Sequence, residues 1–418
     1  MDHQLLDLHH SKPPPFGPVL HHQPFQYSIH TPKPHHPLPA ASPPKLTPKP
    51  EPPTDDVTAV AVDQLTDASK LAEAGDVFGA REILARLNYQ LPAAPTAGSP
   101  LLRSVFYFKE ALHVALSTAG NASQVPVAST PLDVILKFGA YKAFSEVSPL
   151  LHFAHFTCVQ AVIDELGGAA CIHVLDFDIG VGEQWASLMH ELARRHNGVA
   201  LKVTAMVSTA SHHPLELQLI NDNLSNFAAE LGVPFRFAVF NLDATDLMGL
   251  LAVTGGDAIA VHLPVGSVHT PAVPSVLHLV RRLGAKLVVS VDRGCDHGEL
   301  PFAAHLWQAL QSSVALLESL DAMGTDSDVA AKIERFLVQP KIEECVRAAA
   351  AGEKTLPWRA TLASAGFVPV QVSSFAEAQA ESLLKKVPVR GFRLERRAGS
   401  LFLHWQRGEL VSVSAWRC

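Results

Sequence analysis

The second half of the chain alternates between short apolar segments and amphipathic segments with helical periodicity. The first apolar segment, CIHVLD at 171–176, ends in an acidic, glycine-containing turn and precedes the helical segment WASLMHELARRH. Four more apolar segments continue the series: LKVTAMVS, PFRFAVF, DAIAVHLPV and AKLVVSVDRG. Continuous apolar strands that alternate with helices are typical of a parallel sheet covered on both faces. The sequence therefore predicts an α/β fold with a doubly wound sheet.

The C-terminal segments add antiparallel strands to this prediction. SLFLHWQRGELVSVSAW contains two apolar runs around Arg407-Gly408, which is typical of a hairpin, and we expect it at the edge of the sheet. FVPVQVSS is a further strand-like segment. A doubly wound sheet of seven or eight strands with a terminal antiparallel hairpin is the layout of a methyltransferase-like Rossmann core.

The segment 57–166 has helical periodicity throughout. Between Val57 and Leu91, small and apolar residues recur at spacings of three and four, with a break at Gly75-Asp76, which indicates two antiparallel helices. Further helices are predicted at 101–118, 131–143 and 149–166. We therefore predict a helical cap at 57–166 and an α/β core at 167–418, with more cap helices inserted near 301–351.

Residues 1–56 differ in composition from the rest of the chain. Positions 1–53 contain 15 of the 31 prolines and 8 of the 22 histidines. Proline removes backbone donors and fixes φ, so the sequence predicts a disordered arm with local polyproline II structure. Metal binding or recognition by a proline-binding domain is open, but a flexible tail is the favoured interpretation, since histidine pairs without fixed geometry bind metals weakly.

Charge and cysteine usage exclude several classes of protein. The 33 Lys and Arg residues against 40 Asp and Glu residues give a formal charge of −7, which disfavours strong non-specific DNA binding. The five cysteines lack CxxC spacing, which argues against zinc ribbons and a secreted disulfide framework. No apolar run approaches the ~20 residues that a membrane-spanning helix needs. We therefore expect no membrane contact.

The turn after the first strand is the candidate cofactor site, because open α/β sheets bind ligands at the carboxyl ends of their strands. Its Asp178-x-Gly180-x-Gly182 segment superficially matches the glycine loop of methyltransferases that bind S-adenosylmethionine. Bulky Trp185 stands near the helix start, and the second strand ends at 206–209 without a carboxylate for ribose hydroxyls. We therefore predict no cofactor, no metal and no catalysis, and we expect Asp176 and His173 to stabilise the turn.

A second cluster follows the fifth strand, in the segment DRGCDHGEL. Its residues that could ligate a metal are Asp292, Cys295, Asp296, His297 and Glu299. A solvated loop is the favoured interpretation, because Gly294 and Gly298 mark turns and no second group of ligands is evident. His213, before Pro214, is predicted to cap a helix.

Five ordered sequence blocks resemble the plant GRAS proteins. Ile172-His173-Val174-Leu175-Asp176 resembles the VHIID motif, and the segment that includes Gly180 and Gly182 resembles its extended form. Helical stretches at 57–140 and 215–247 resemble the two leucine-rich regions. The remaining similarities are Pro301-Phe302 to the start of PFYRE, Lys332-Ile333-Glu334-Arg335 to RVER, and Trp358, Trp405 and Ser414-Ala415-Trp416 to the SAW region. The Tyr, Arg and Glu of PFYRE have no counterpart here.

The resemblance covers about 57–418 and implies a nuclear plant transcriptional regulator that acts mainly through protein–protein contacts. It implies an α-helical cap on a Rossmann-like core, in agreement with the helix and strand count above. SPLLHFAHFTCVQAVIDEL and KIERFLVQPKIEE resemble the scarecrow-like branch that includes the hairy meristem proteins. For that branch the implied partners are WUSCHEL-type homeodomain proteins and other GRAS proteins, and the implied role is shoot meristem maintenance.

Two other hypotheses remain open beside the co-regulator. The chain could be a transcription factor that binds promoter DNA directly in a groove between cap and core, which requires dispersed Arg and Lys residues to converge. It could instead be a methyltransferase-like enzyme or small-molecule sensor that uses Asp176, Gly180 and Gly182. Apolar helix faces that associate by burying area favour the co-regulator, with a homodimer as a further consequence.

Overall fold

A mixed sheet of nine strands runs through the part of the chain that the structure describes. The computed structural model describes residues 55–91, 98–118, 130–195, 198–208, 212–242, 257–265, 273–294, 298–350 and 356–418. Residues 1–54 of the Pro/His-rich arm predicted at 1–56 lie outside the described residues. The strands are β1 (Cys171–Asp176), β2 (Ala200–Val207), β3 (Phe235–Asn241), β4 (Ala258–His262), β5 (Leu287–Asp292), β6 (Val368–Val370), β7 (Phe392–Arg397), β8 (Ser400–Trp405) and β9 (Gly408–Arg417).

Strands β1 to β5 form the parallel part of the sheet, in the order β3-β2-β1-β4-β5. Nearly every residue of β1, β2 and β5 is buried, as expected for apolar strands covered on both faces. The strand order changes direction between β1 and β4, which creates a crevice at their carboxyl ends. The predicted α/β fold with a Rossmann-like core is confirmed.

The antiparallel part of the sheet differs from the prediction in two respects. The hairpin β8–β9 lies inside the sheet, because β9 pairs with β5 on one side and with β8 on the other, so its predicted edge position was wrong. The edge strand is β7, which sequence analysis missed and which raises the count to nine. Its sequence FRLERR is rich in charge, a property that protects exposed edges from pairing with other chains and that conceals a strand from apolar patterning.

Helices cover the sheet and form a separate layer beside it. They are α1 (Asp55–Glu73), α2 (Val77–Gln90), α3 (Pro100–Thr118), α4 (Pro131–Val147), α5 (Pro149–Leu166), α6 (Glu183–Arg195), α7 (Pro214–Leu231), α8 (Val273–Arg282), α9 (Phe302–Ala322), α10 (Ser327–Ile333), a π-helix (Glu334–Val338), α11 (Gln339–Ala350), α12 (Trp358–Ser364) and α13 (Ser374–Lys385). Local chemistry sets several starts: Thr130 and Asp133 form a capping box at α4, and Ser148 with Pro149 begins α5. His213 caps α7, as predicted.

The cap, as the term is used below, comprises α1–α4, α9–α11 and the π-helix. Helix α5, which belongs to the cap predicted at 57–166, is left out of this definition because it packs against α6, α13, β5 and β9. Helix α3 packs against α1, α2, α9 and α11, which brings the N-terminal helices onto the segment that follows β5. A buried ion pair reinforces this packing: Arg103 Nε of α3 lies 3.3 Å from Glu334 Oε1 of the π-helix. Tyr107 donates a hydrogen bond to the other oxygen of Glu334 at 2.9 Å.

Candidate functional site

Asp176 is the last residue of β1, is fully buried, and uses both carboxylate oxygens for contacts within the protein. Oδ1 accepts from the backbone N–H of Asp178 at 2.9 Å and lies 2.7 Å from Nδ1 of His262. Oδ2 accepts from Nε1 of Trp185 at 2.6 Å and from Nε2 of Gln184 at 3.0 Å. Because Asp176 accepts at both oxygens, the imidazole N–H of His262 is the donor of that contact. The network fastens β1 to α6 and β4.

The two glycines of the turn face protein side chains, and Gly182 permits close packing there. Gly182 has φ +79°, and a Cβ built there would lie 3.1 Å from Leu224 of α7, so this glycine lets α7 approach the turn. Gly180 has φ +54° and faces the side chain of Tyr141 from α4. At the end of β2, the described residues Val207 and Ser208 bear no carboxylate. Protein side chains therefore contact the turn where a nucleoside cofactor would approach a glycine loop.

His173 lies in the middle of β1, and its imidazole is fully buried. Nε2 is 2.8 Å from Thr204 Oγ1, and Nδ1 is 3.6 Å from Asp257 Oδ2, which also pairs with Lys202 at 2.7 Å. Burial lowers the pKa of His173 to about 4, and the effect exceeds the opposing attraction of Asp257. A neutral imidazole that joins β1 to β2 is a structural group.

The other motif residues lie in three separate places. Ile172, Val174 and Leu175 are buried apolar residues of β1, and Leu175 shares an apolar cluster with Trp358 and Trp416. At the junction of α10 and the π-helix, Ile333 and Glu334 are buried whereas Lys332 and Arg335 are exposed. The remaining positions are Pro301 and Phe302 at the start of α9, Trp405 at the end of β8, and Ser414 and Ala415 in β9.

These residues do not converge on a common reactive centre within the described residues. Trp416 donates through Nε1 to Ser414 Oγ at 3.0 Å within its own strand, and the ring of Trp405 packs against Phe392. Glu334 belongs to the ion pair with Arg103 in the cap. The geometry supports packing roles for most motif positions, and their assignment as interaction residues stays a prediction.

The second cluster of candidate ligands is only partly described. Cys295, Asp296 and His297 lie outside the described residues, whereas Asp292 ends β5 and Glu299 precedes α9. The described part of the chain holds no group of three or more His, Cys, Asp or Glu side chains arranged to bind a metal.

Sequence analysis missed two adjoining cavities at the crevice between cap and core. The polar cavity, about 160 Å³, lies beside the glycine turn and is lined by residues that include Lys137, Tyr141, His155, Asp178, Glu183 and Arg293. The apolar cavity, about 100 Å³, lies among helices α3, α4, α5, α9 and α11. One signal in the sequence points to them: Lys137 and Tyr141 stand one turn apart in the segment VILKFGAYKAF, where the only other charged residue is Lys142.

The N-terminal hairpin presents large apolar side chains outward. Phe78 is 81% exposed and Tyr89 is 92% exposed, and about three turns of α2 separate them, so they share one face. The leucines of the same hairpin point the other way: Leu65, Leu84 and Leu87 are buried. Periodicity alone had not separated the leucines that face the core from those available to a partner.

The dispersed basic pairs mostly engage acidic side chains. Arg194 and Arg195 both pair with Glu191, and Arg396 pairs with Glu377. Arg417 makes a bidentate contact with Glu165 at 2.7 and 2.8 Å. Each of these arginines is therefore accompanied by a carboxylate in the part of the chain that the structure describes.

The chain belongs to the GRAS domain family, whose sequence model matches residues 61–417. The resemblance seen in the motifs is therefore confirmed at the level of the family. Membership in the hairy meristem branch stays a prediction.

Curated relatives and a solved structure agree with this assignment. Scarecrow-like protein 6 of Arabidopsis thaliana is 44% identical over 360 residues, which cover 85% of this chain and 62% of that protein. Scarecrow-like protein 27 of Arabidopsis thaliana is 40% identical over 385 residues, covering 87% and 59%. NODULATION SIGNALING PATHWAY 2 of Lotus japonicus is 31% identical, covering 85% and 75%. The crystal structure of SCL7 in Oryza sativa matches with a TM-score of 0.65 at 26% identity, covering 85% of this chain and 99% of that one.

The chain spans about three fifths of the length of Scarecrow-like proteins 6 and 27. Among the described helices, none is both long and apolar enough to cross a membrane.

Proposed function

We propose that this GRAS protein is a plant transcriptional regulator that acts in the nucleus by binding other proteins and has no catalytic activity of its own. The single observation that carries the proposal is the outward face of α2, on which the aromatic side chains of Phe78 and Tyr89 are exposed. Desolvation of these two side chains by a partner would stabilise a complex by roughly 25 cal/mol per Å² of apolar area before the costs of association.

The first βα turn supports the absence of catalysis. Both carboxylate oxygens of Asp176 accept hydrogen bonds from protein side chains, namely Trp185, Gln184 and His262. The side chain of Tyr141 in the cap lies beside Gly180. A methyltransferase of this fold needs a carboxylate after the second strand to hold the ribose, and the described residues Val207 and Ser208 at the end of β2 do not supply one. The methyltransferase hypothesis is therefore disfavoured.

Partners follow from the family resemblance. We propose WUSCHEL-type homeodomain proteins and other GRAS proteins, with a homodimer included, as the occupants of the α2 face, and shoot meristem maintenance as the process. Promoter DNA would then be reached through those partners. Direct DNA binding is the second candidate, but the pairing of Arg194, Arg195 and Arg396 with carboxylates gives it no specific support.

Surface substitution tests the proposal better than deletion of the N-terminal helices, because deletion would also remove α3 from the cap. In the full chain, the double substitution Phe78→Ser with Tyr89→Ser should leave the melting temperature unchanged. The amount of transcription factor that co-precipitates with the protein from plant nuclei should fall at least tenfold. The matched control is Phe375→Ser on α13. Phe375 is also an exposed phenylalanine, at 57%, but it belongs to a helix remote from α2 in sequence. Unchanged co-precipitation by the double variant would contradict the proposal.

A further inference from the structure

A groove runs along the exposed side of α9, between that helix and the turn that joins β8 to β9. Its volume of about 530 Å³ falls within the range of roughly 300–1,000 Å³ that is usual for ligand sites. One wall is a single face of α9, because its lining residues recur at spacings of three and four. The lining includes Trp307, Val314 and Glu318 of α9, Leu101 of α3 and residues 405–408 of the turn. We call this space the α9 groove.

Two tryptophans of the α9 groove have surface that the protein does not use. The side chain of Trp307 is 39% exposed. Nε1 of Trp405 is buried and has no hydrogen-bond partner in the part of the chain that the structure describes, although orphaned donors of this kind are rare in folded proteins. Gly391 lies against the six-membered part of the Trp405 ring, so Nε1 lies on the far side of that ring from Gly391. The groove therefore offers an aromatic surface and an unused N–H donor.

These features favour an extended chain over a helix as the occupant of the α9 groove. The carbonyl groups of an α-helix accept from its own N–H groups, whereas a polyproline II chain has no internal hydrogen bonds and keeps its carbonyl oxygens free. Proline-rich segments in this conformation bind to grooves lined by aromatic side chains. The length also fits: Trp307 and Glu318 are about 17 Å apart along α9, and six residues of polyproline II span about 19 Å.

The walls of the α9 groove carry one charge of each sign. A Cβ built at Gly408 would lie 2.5 Å from Cβ of Ala315, so the turn touches α9 less than one helical turn before Glu318. Arg407 and Glu318 therefore lie at about the same level on opposite walls. Both side chains are exposed, and no ion pair within the described residues includes either of them. A segment with one basic and one acidic side chain would complement both walls.

A segment with this chemistry stands just before α1. Residues 43–54 read PPKLTPKPEPPT and lie outside the described residues. Within its PKPEPP part, at 48–53, Lys49 and Glu51 are two positions apart. Because polyproline II has three residues per turn, such positions point to different sides of the chain.

The N-terminal helices indicate where this segment begins. Helices α1 and α2 form a hairpin and therefore run in opposite directions. Helix α2 also runs opposite to α3, because Arg81 near its start donates to the carbonyl of Leu116 near the end of α3. At the other end of α2, Asn88 accepts from Lys109 of α3. Helix α1 thus runs in the same direction as α3.

Helix α9 runs opposite to both α1 and α3. At the start of α9, the backbone N–H of Ala303 donates to Glu73 at the end of α1, at 2.9 Å. Near the end of α9, Asp321 pairs with Arg103 at the start of α3, at 2.7 Å. The start of α1 therefore lies toward the half of α9 that carries Glu318, so the segment before α1 begins near one end of the α9 groove.

We propose that residues 48–53 of this chain dock in the α9 groove in a polyproline II conformation. Lys49 lies beside Glu318, and proline rings pack against Trp307. A backbone carbonyl of the segment accepts from Nε1 of Trp405. In this position the segment closes the groove to proline-rich segments of other proteins.

Trypsin cleavage of the full chain tests the proposal. Within 1–54, trypsin readily cleaves the bond between Lys45 and Leu46, because a proline follows each of the other three lysines. The protease needs extended chain on both sides of that bond, so docking should slow the cleavage at least tenfold relative to a free peptide of residues 37–54. Equal rates in protein and peptide would overturn the proposal. Protection that rises with protein concentration would assign the groove to a segment from a second copy and overturn docking within one chain.

A substitution in the groove separates docking from other causes of protection. Trp307→Ser should bring the cleavage rate after Lys45 to within about twofold of the rate in the free peptide. Phe375→Ser, at an exposed phenylalanine of α13 that does not line the groove, should leave the protection intact. Full protection in a folded Trp307→Ser protein would overturn the assignment of the groove.

An exchange of charges tests the contact between Lys49 and Glu318. Glu318→Lys and Lys49→Glu should each raise the cleavage rate about threefold, as the loss of one exposed ion pair predicts, and the double variant should restore protection. Each rate is compared with that of a free peptide with the same sequence. Cleavage of the double variant at the rate of the single variants would overturn this contact.

Discussion

Asp176 and Gly182 stand in a sequence pattern that cofactor-binding proteins share, yet their surroundings give them a different role. The carboxylate of Asp176 holds Trp185, Gln184 and His262 together, and Gly182 admits Leu224 of α7. Neither role could be assigned from the motif alone, because the deciding contacts come from β4 and α7, far along the chain. What the sequence did indicate was the lack of a carboxylate at the end of β2 and the bulk of Trp185.

Removal of the Asp176 carboxylate should destabilise the fold. Asp176→Ala leaves the buried donors of Trp185 and Gln184 unpaired, which should lower the free energy of unfolding by about 2–4 kcal/mol. Urea denaturation followed by circular dichroism measures the change. Asp222→Ala, at an exposed aspartate of α7, is the control and should shift stability by less than about 0.5 kcal/mol. Equal stability of the two variants would refute the structural role of Asp176.

At the scale of elements, the cap depends on contacts between helices that are remote in sequence. The periodicity of α1 to α5 predicted these helices well, since each buries a continuous apolar stripe. The π-helix at Glu334–Val338 was not predicted, and its first residue Glu334 contacts Arg103 and Tyr107 of α3, which are remote in sequence. Within the RVER-like segment, Glu334 therefore has a structural role in the buried ion pair, whereas Lys332 and Arg335 are exposed.

The ion pair between α3 and the π-helix should be essential to cap stability. Arg103→Met leaves the buried Glu334 without its cation and should cost about 3–5 kcal/mol in the free energy of unfolding. The double variant Arg103→Met with Glu334→Gln should recover part of this loss, because no charge remains buried. Lys385→Met, which removes an exposed pair with Glu381, should cost less than about 1 kcal/mol. An Arg103→Met protein as stable as the wild type in urea denaturation would contradict this assignment.

The whole molecule contains several histidines that are neutral because they are buried. Burial lowers the pKa of His173 to about 4 and also lowers the pKa values of His155 and His404. In the unfolded chain such histidines take up protons below their usual pKa of about 6.5. The unfolded state therefore binds more protons than the folded state between pH 6.5 and 4, and the free energy of unfolding falls as the pH falls through that window.

Acid unfolding should accordingly depend on His173. The expected loss from this residue is about 3 kcal/mol between pH 6.5 and 4, measured as the decline in the free energy of unfolding from urea titrations at successive pH values. His173→Gln should reduce that decline, whereas His278→Asn, at an exposed position of α8, should leave it unchanged. A decline of the same size in His173→Gln and the wild type would show that the folded imidazole takes up its proton as readily as the unfolded one.

The sequence by itself determined most of the helices and apolar strands and the family, because apolar periodicity and capping residues act within one segment, and because the motif blocks stand in order along the chain. The tertiary structure alone decided how remote segments meet. It placed β9 between β5 and β8, joined Glu334 to Arg103 and enclosed the two cavities between cap and core. The physical reason is that strand pairing, buried charge and cavity shape depend on groups distant in sequence, whose approach no local pattern encodes.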